Sequence, residues 1–261
     1  KRSHLQIKIA GVKRMFMWHF LNKPLGLILV SEFPKSGGSW FCNMLSEATN
    51  VPFPRNVSPK FSKSVMHGHF LYHKNFNKVV CVMRDGRDIM VSAYFHFLFE
   101  HNINPSFSVK IWRDRLPFED YNDIEKNLPE FIRYMFTKYK FGGKYVSWSK
   151  FVHDYNENPN CHIVKYEDLL KAPEDELQKT IDFLGLPIVN PEKLAKIVEN
   201  YSFKKLTNRK PGEEDTKSFI RKGIAGDWKN KFSLEAKKTF AEYAGDELIA
   251  MGYEKDNSWV K

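Results

Sequence analysis

The stretch from Leu27 to Ala48 constrains this chain more than any other. Leu27-Ile28-Leu29-Val30 is a short apolar run that reads as a buried strand. Phe33-Pro34-Lys35-Ser36-Gly37-Gly38-Ser39 follows as a tight loop, after which Trp40, Phe41, Met44, Leu45 and Ala48 recur at helical spacing. Such a loop lets backbone N–H groups converge at a helix N-terminus, where the dipole also favours an anion. Lys35 adds a mobile cation, and Ser36 and Ser39 add hydroxyls. A phosphate-binding loop is therefore expected. It is not the common one, because the Gly-x-x-x-x-Gly-Lys-Ser/Thr spacing is absent and Lys35 precedes the glycines. Taken alone, the stretch also fits an ordinary turn.

Residues 1–26 read as a helical lead-in with a polar turn at Asn22-Lys23-Pro24. Prolines from Pro52 to Pro59 mark a surface excursion to about residue 64, and the segment from Ser64 to Phe70 ends in a loop. Lys78 to Met83 is a β-branched apolar run and the best strand in the chain. It feeds Arg84-Asp85-Gly86-Arg87-Asp88 and a helix through Tyr94, a second strand–loop–helix in which Asp85, Arg87 and Asp88 read as a solvated helix entrance. Tyr94 to Trp148 reads as polar helices and loops crowded with aromatic rings. A third strand is expected at His162 to Tyr166, a helix from Pro173 closed by Gly185, and another capped by Asn190-Pro191. Residues 204–220 are polar without a period and read as a long loop, a candidate lid. An amphipathic helix from about Leu234 to Met251 ends the pattern. Alternating strands and helices predict an α/β fold with a mainly parallel central sheet flanked by helices, in a single domain over residues 1–261. Ligands of such sheets sit beyond the carboxyl ends of the strands, where the Lys35 loop and Arg84 both fall.

The formal charge of +10 fits a nucleic-acid surface, a membrane surface or an anionic ligand. No dense Lys/Arg block is present, and basic residues are interspersed with acidic ones nearly everywhere, which disfavours nucleic acid. Cys42, Cys81 and Cys161 form neither a metal motif nor a disulfide framework, so a reducing compartment, the cytoplasm, is expected. Cys42 and Cys81 read as buried spacers. No apolar run is long enough for a membrane span.

Three separated segments resemble the cytosolic-type sulfotransferases. They are Phe33-Pro34-Lys35-Ser36-Gly37-Gly38-Ser39-Trp40, Arg84 with Ser92 eight positions on, and Arg221-Lys222-Gly223-x-x-Gly226-Asp227-Trp228. They occur in the family's order, with Tyr166-Glu167-Asp168 and Ser202-Phe203-Lys204 also matching. The resemblance implies a P-loop-type sulfotransferase fold and 3′-phosphoadenosine 5′-phosphosulfate (PAPS) as sulfuryl donor, with adenosine 3′,5′-bisphosphate (PAP) as product and no metal. It further implies that Lys35 to Trp40 bind the 5′-phosphosulfate, with Trp40 beside the adenine. Arg84, Ser92, Arg221, Lys222 and Gly223 would hold the 3′-phosphate, and Tyr166, Tyr201 and Phe203 would contact the base. Forked guanidinium donors suit a dianionic phosphate, and aromatic faces suit a base. Asp227 reads as a local cap or turn residue and Trp228 as a packed core ring.

The family's general base lies in a Lys-Thr-His-Leu-Pro-like segment, matched here by His67-Gly68-His69-Phe70-Leu71. His69 aligns with the base, and His67 replaces the lysine. His67 and His73 remain alternatives, since a base near neutral pKa points to histidine generally. Lys35 would stabilise charge on the departing bridging oxygen. The acceptor is expected to be a small or natural-product hydroxyl compound, apolar or aromatic, in a pocket walled by Phe95, Phe97, Phe99, Trp112 and Phe141. The family's dimer motif is not carried over, because Lys238 reverses its closing charge. Two other classes compete: a P-loop nucleotide kinase, which would need an acidic strand end for Mg²⁺, and a non-enzymatic basic nucleic-acid-binding protein.

Overall fold

In chain order the helices and strands are α1 (His4–Phe20), β1 (Ile28–Glu32), α2 (Gly38–Thr49), β2 (Val65–Gly68), β3 (Val79–Met83), α3 (Gly86–Leu98) and α4 (Ser106–Arg115). There follow α5 (Ile124–Thr137), the two-residue strands β4 (Lys140–Phe141) and β5 (Lys144–Tyr145), α6 (Trp148–Tyr155), β6 (Cys161–Lys165) and α7 (Tyr166–Lys171). The chain closes with α8 (Pro173–Leu184), α9 (Pro191–Asn200), α10 (Phe203–Thr207) and α11 (Leu234–Ala250). The structure, a computed structural model, describes residues 4–55 and 59–261; residues 1–3 of the lead-in and 56–58 of the proline-rich excursion lie outside the described residues. Two compact units are distinguished. One holds Lys1–Glu32, Ser36–Met83 and Asp154–Ser202, and the other Phe33–Lys35, Arg84–His153 and Phe203–Lys261.

The first unit is built on a four-stranded, wholly parallel sheet in the order β2-β1-β3-β6. β1 and β3 are central and buried throughout, which is why both read as continuous apolar runs. The apolar stripe of α2 (Phe41, Met44, Leu45, Ala48) packs with Val30, Val80, Val82 and Val164 from the strands, and with Leu177, Ile181 and Ile197 from α8 and α9. Each fully buried Leu, Ile or Phe here removes enough surface from water to contribute roughly 1.5–3 kcal/mol. Gly185 ends α8 in the left-handed region, and the Asn190 side chain caps α9 through Glu192 N–H. Because β1 connects to β2 on one side and β3 leads toward β6 on the other, the strand order reverses between β1 and β3. That switch is where open α/β sheets place ligands.

In the second unit α3 is the hub. Gly86 begins it because a Cβ there would meet the Trp148 ring and Phe240 at 2.6 Å. The Trp148 indole N–H donates to the Arg84 carbonyl (3.1 Å), and Asn127 donates to the hydroxyl of buried Tyr94 (2.9 Å). Phe136 of α5 stacks on Tyr243 of α11 at 5.1 Å. Among the described residues no helix is long and apolar enough to cross a membrane.

Two expectations need correction. The segment before Phe70 contains a strand, β2, that its composition hides: Val65-Met66-His67-Gly68 is too short and polar to show a period, and it forms only as an edge of the sheet. The polar segment expected to be loop throughout 204–220 begins inside a short helix, α10, whose Thr207 hydroxyl bonds back to the Phe203 carbonyl.

Candidate active site

In the first unit, β1 ends on Glu32, the first acidic residue of the chain and 6% exposed at its side chain. One carboxylate oxygen lies 2.8 Å from His67 Nε2, and the other accepts the Gly38 N–H at 2.5 Å. The Glu32 backbone carbonyl is 2.9 Å from His69 Nδ1. A carbonyl cannot donate, so His69 Nδ1 carries the proton and Nε2 is the basic nitrogen of the neutral ring. Burial pushes the His69 pKa below its ordinary value, against the opposing pull of Glu32. Burial also raises the Glu32 carboxyl, but the hydrogen bond and charge of His67, with His69 and the Gly38 N–H, hold it below the ordinary range.

The helix that starts here is shaped by the same contacts. Gly37 caps α2 at φ 96°, and a Cβ on it would meet the Tyr166 ring at 2.8 Å. A Cβ on Gly38 would meet Glu32 Cδ at 2.7 Å and His67 Nε2 at 2.9 Å. Gly38→Ala is therefore expected to destabilise the fold by about 1–3 kcal/mol, read by urea unfolding, because the hydrogen-bonded Glu32–His67 pair must shift to admit the methyl. Wild-type stability in that variant would show that the pair has room to move. Trp40 meets the Tyr166 ring edge-on at 6.0 Å and donates its indole N–H to the Tyr201 carbonyl (2.8 Å), so Trp40, Tyr166 and Tyr201 are brought together. Ser36 is buried and Ser39 half-buried at the same helix start. His73 stands apart: its Nδ1 accepts the Asn75 N–H and its ring packs edge-on against His19.

In the second unit, Arg84 leaves β3 and points its guanidinium at the carbonyls of Ile224 (3.0 Å) and Lys35 (3.4 Å). Asp88, one turn on, is 1% exposed and accepts the N–H groups of Gly226 (2.6 Å) and Trp228 (2.9 Å). The Gly226-Asp227-Trp228 segment is thus clasped to α3. Ser92 and Phe95 extend the same helical face, and the Arg221 guanidinium lies 4.7 Å above Phe95. Asp227 is buried and pairs with both Arg221 (2.6 Å) and Lys222 (2.5 Å). Burial raises its carboxyl, but the bonds from Lys222 and Arg221 overcome this and lower it. The Nε–H of Arg221 is buried with no hydrogen-bond partner among the described residues. Gly223 sits at φ 65° with Phe203 so close that a Cβ would fall 2.1 Å from its ring. Lys35 holds the left-handed φ of 79°, costly for a residue with a Cβ, and its ammonium lies 4.0 Å above Phe219.

Three readings from sequence change here. Asp85, Arg87 and Asp88 are not a solvated helix entrance. Arg87 is 2% exposed, paired with Asp85 (2.7 Å) and Glu254 (2.5 Å), and lies 3.8 Å from the Trp228 ring. Asp227 begins a 3-10 turn, as a turn residue should, but its carboxylate also organises two cations. Phe141, expected among the pocket walls, is 39% exposed on the β4–β5 hairpin, while Phe97 and Trp112 stack at 4.0 Å. Trp228, Cys42 and Cys81 are buried as expected.

Sequence reasoning missed Glu32, Asp88 and His96. Glu32 had a signal, as a lone acid ending an apolar strand. Asp88 and His96 had none, since their partners are distant in sequence. His96 is 2.8 Å from His101, and burial, then the Lys35 charge and His101, push its pKa down to about 3. The unfolded chain therefore binds the proton first. Stability from His96 is full above its ordinary 6.5 and is lost as pH falls toward about 3. Denaturant titrations across that window should show this slope, flattened in His96→Gln; an unchanged slope would remove His96 from the account.

Glu32, His67 and His69 also present ligand atoms all within 4.8 Å of one another, the one group among the described residues that could hold a metal ion. The Glu32–His67 distance in it is that of a hydrogen bond.

The sulfotransferase-domain family profile matches residues 40–252. The chain is 25% identical over 260 residues to dog sulfotransferase 1B1, covering 82% of this chain and 80% of that one. It is 29% identical over 213 residues to human sulfotransferase 1C2, covering 76% and 63%. Its fold resembles mouse sulfotransferase SULT7A1, solved with PAP, at a TM-score of 0.65 and 17% identity, covering 95% of both chains. It also resembles retinol dehydratase, solved with androsterone and PAP, at a TM-score of 0.56 and 18% identity, covering 92% of this chain and 85% of that one. The chain belongs to the cytosolic-type sulfotransferase family, enzymes that move a sulfuryl group from PAPS. The kinase and nucleic-acid readings fall with that result.

Proposed function

We propose that this enzyme transfers the sulfuryl group of PAPS to the hydroxyl of a small apolar acceptor, with His69 as base and Lys35 at the leaving oxygen. Lys35 to Trp40 bind the 5′-phosphosulfate. Arg84, Ser92, Arg221, Lys222 and Gly223 hold the 3′-phosphate, and Trp40, Tyr166, Tyr201 and Phe203 contact the adenine. The observation that carries this reading is Arg221, whose buried Nε–H has no partner among the described residues while its other nitrogens reach Glu214 and the buried Asp227 that it shares with Lys222. The two cations are balanced by Asp227 and Glu214, and an incoming phosphate can bond the unmatched Nε–H and take the place of the 28% exposed Glu214 on the guanidinium. In the reaction the acceptor oxygen attacks sulfur in line. Its proton passes to His69 Nε2, the bond from sulfur to the bridging oxygen breaks, and PAP leaves with that oxygen's charge facing Lys35.

The acceptor assignment is supported by the aromatic residues of α3 and α4 and by the androsterone and retinol bound in the retinol dehydratase structures. The segment after α10 is read as a lid: Arg209 braces it from within through the Glu213 and Arg221 carbonyls (2.7 Å each), and Phe219 faces the Lys35 ammonium. The family match across residues 40–252 supports one sulfotransferase domain, and three cysteines outside any disulfide support the cytoplasm.

Arg221→Ala tests the 3′-phosphate assignment. A charge-assisted bond contributes about 1.5–3 kcal/mol, so PAP affinity by calorimetry should fall roughly 10- to 100-fold. Affinity for adenosine 5′-phosphate, which lacks the 3′ group, should not change. Equal losses for both nucleotides would place Arg221 elsewhere.

A further inference from the structure

The outward face of α1 is apolar where a surface helix is normally polar. Ala10, Met17 and Trp18 are buried on one side, whereas Ile9, Val12, Met15, Phe16 and Phe20 are exposed on the other, Val12 and Phe20 to 63% and 64%. At 100° per residue these five share one broad arc, and from Ile9 to Phe20 no charged residue falls within it. The segment before β2 lies alongside: Arg14 donates to the Arg55 carbonyl (2.8 Å), and the Lys13 ammonium sits 4.4 Å above Phe61, itself 56% exposed. Lys60 and Lys63 flank Phe61, and Lys23 follows the helix; all three are exposed. The result is an aliphatic and aromatic centre with a rim of cations.

The charge of the chain is concentrated on this segment. Residues 1–84 contain thirteen Lys/Arg and two Asp/Glu, whereas residues 85–261 contain twenty-eight and twenty-nine. The interspersion of charges expected from the sequence thus holds only after residue 84, and the entire positive excess lies before it. Three occupants differ in how they meet such a surface. A nucleic acid needs cations at the centre of the contact, and here the centre is hydrocarbon. A second copy would bring two strongly positive surfaces face to face. An anionic bilayer supplies both halves, acyl chains for the phenylalanines and headgroup charge for the lysines.

We propose that the outward face of α1, with Phe61 and its lysine rim, docks the enzyme on anionic lipid bilayers, lying on the surface without spanning it. This is independent of the residue roles assigned above. The test is co-sedimentation of the full chain with vesicles of phosphatidylcholine alone and of phosphatidylcholine with phosphatidylserine. Binding should favour the mixed vesicles and weaken as salt rises. Phe16→Glu with Phe20→Glu should reduce it at least ~10-fold, since each change puts a carboxylate where an aromatic ring would insert. Lys60→Glu with Lys63→Glu should remove the preference for phosphatidylserine, since two cations at the anionic headgroups become anions. PAP affinity should be unchanged in both variants, which shows that they fold. Failure of the wild type to sediment with either vesicle overturns the proposal. So does a wild-type dimer that Phe16→Glu with Phe20→Glu converts to monomer, or oligonucleotide binding that survives those two changes.

Discussion

His69→Ala is expected to lower turnover by about 10²- to 10⁴-fold, the range for loss of a positioned general base, while PAP affinity stays near wild type. The geometry behind this is the Glu32 carbonyl, which takes the proton of His69 Nδ1 and leaves Nε2 basic. Because burial lowers the His69 pKa, the base remains unprotonated below its ordinary 6.5. The acid limb of kcat/KM is therefore expected below pH 6.5, with activity lost as pH falls through the His69 pKa. His73→Ala should be nearly silent, since that ring packs against His19 and Phe76. If His69→Ala kept wild-type turnover, or His73→Ala abolished it, the base would be misassigned. Steady-state rates with calorimetric PAP binding separate these outcomes.

Lys35→Ala is expected to cost about 10²- to 10³-fold in kcat, comparable to removing one donor to a developing oxyanion. Alanine at this position keeps the same left-handed backbone cost, so the comparison isolates the ammonium. Lys35 is held at φ 79° without being glycine, as Glu157 is at φ 60° in a turn, so the loop carries a backbone cost in both the wild type and the variant. Ground-state affinity for PAP should fall less than kcat, because the charge at the bridging oxygen grows during the reaction. Equal losses in kcat and in PAP affinity would make Lys35 a binding residue only. The ammonium lies over Phe219 and its charge helps depress the His96 pKa, so Lys35→Ala should also raise that pKa, visible by NMR titration.

The frame of this fold was legible because its strongest signals are local. β1, β3 and β6 are apolar runs, Gly185 and Asn190 punctuate helices, and the Lys35 loop lies between a strand and a helix. What was illegible depends on partners far along the chain. β2 exists only beside β1. Asp88 is defined by N–H groups 138 and 140 residues away. Arg87, charged and flanked by aspartates, reads as solvated until Trp228 and Glu254 close over it. Glu32 lay between the two kinds. Its placement at a strand end was visible, but its grip on His67, Gly38 and His69 needed β2 and α2 in position.

The most direct test of the central claim is incubation of the enzyme with PAPS and a panel of hydroxyl acceptors in the presence of EDTA, following PAP and sulfated product together by mass spectrometry. One PAP is expected for each sulfated acceptor, with apolar phenols, steroids or lipid alcohols preferred and no requirement for a divalent ion. Absence of acceptor-dependent PAP from a protein that still binds PAP, or Mg²⁺-dependent phosphate transfer from ATP in its place, would contradict the account.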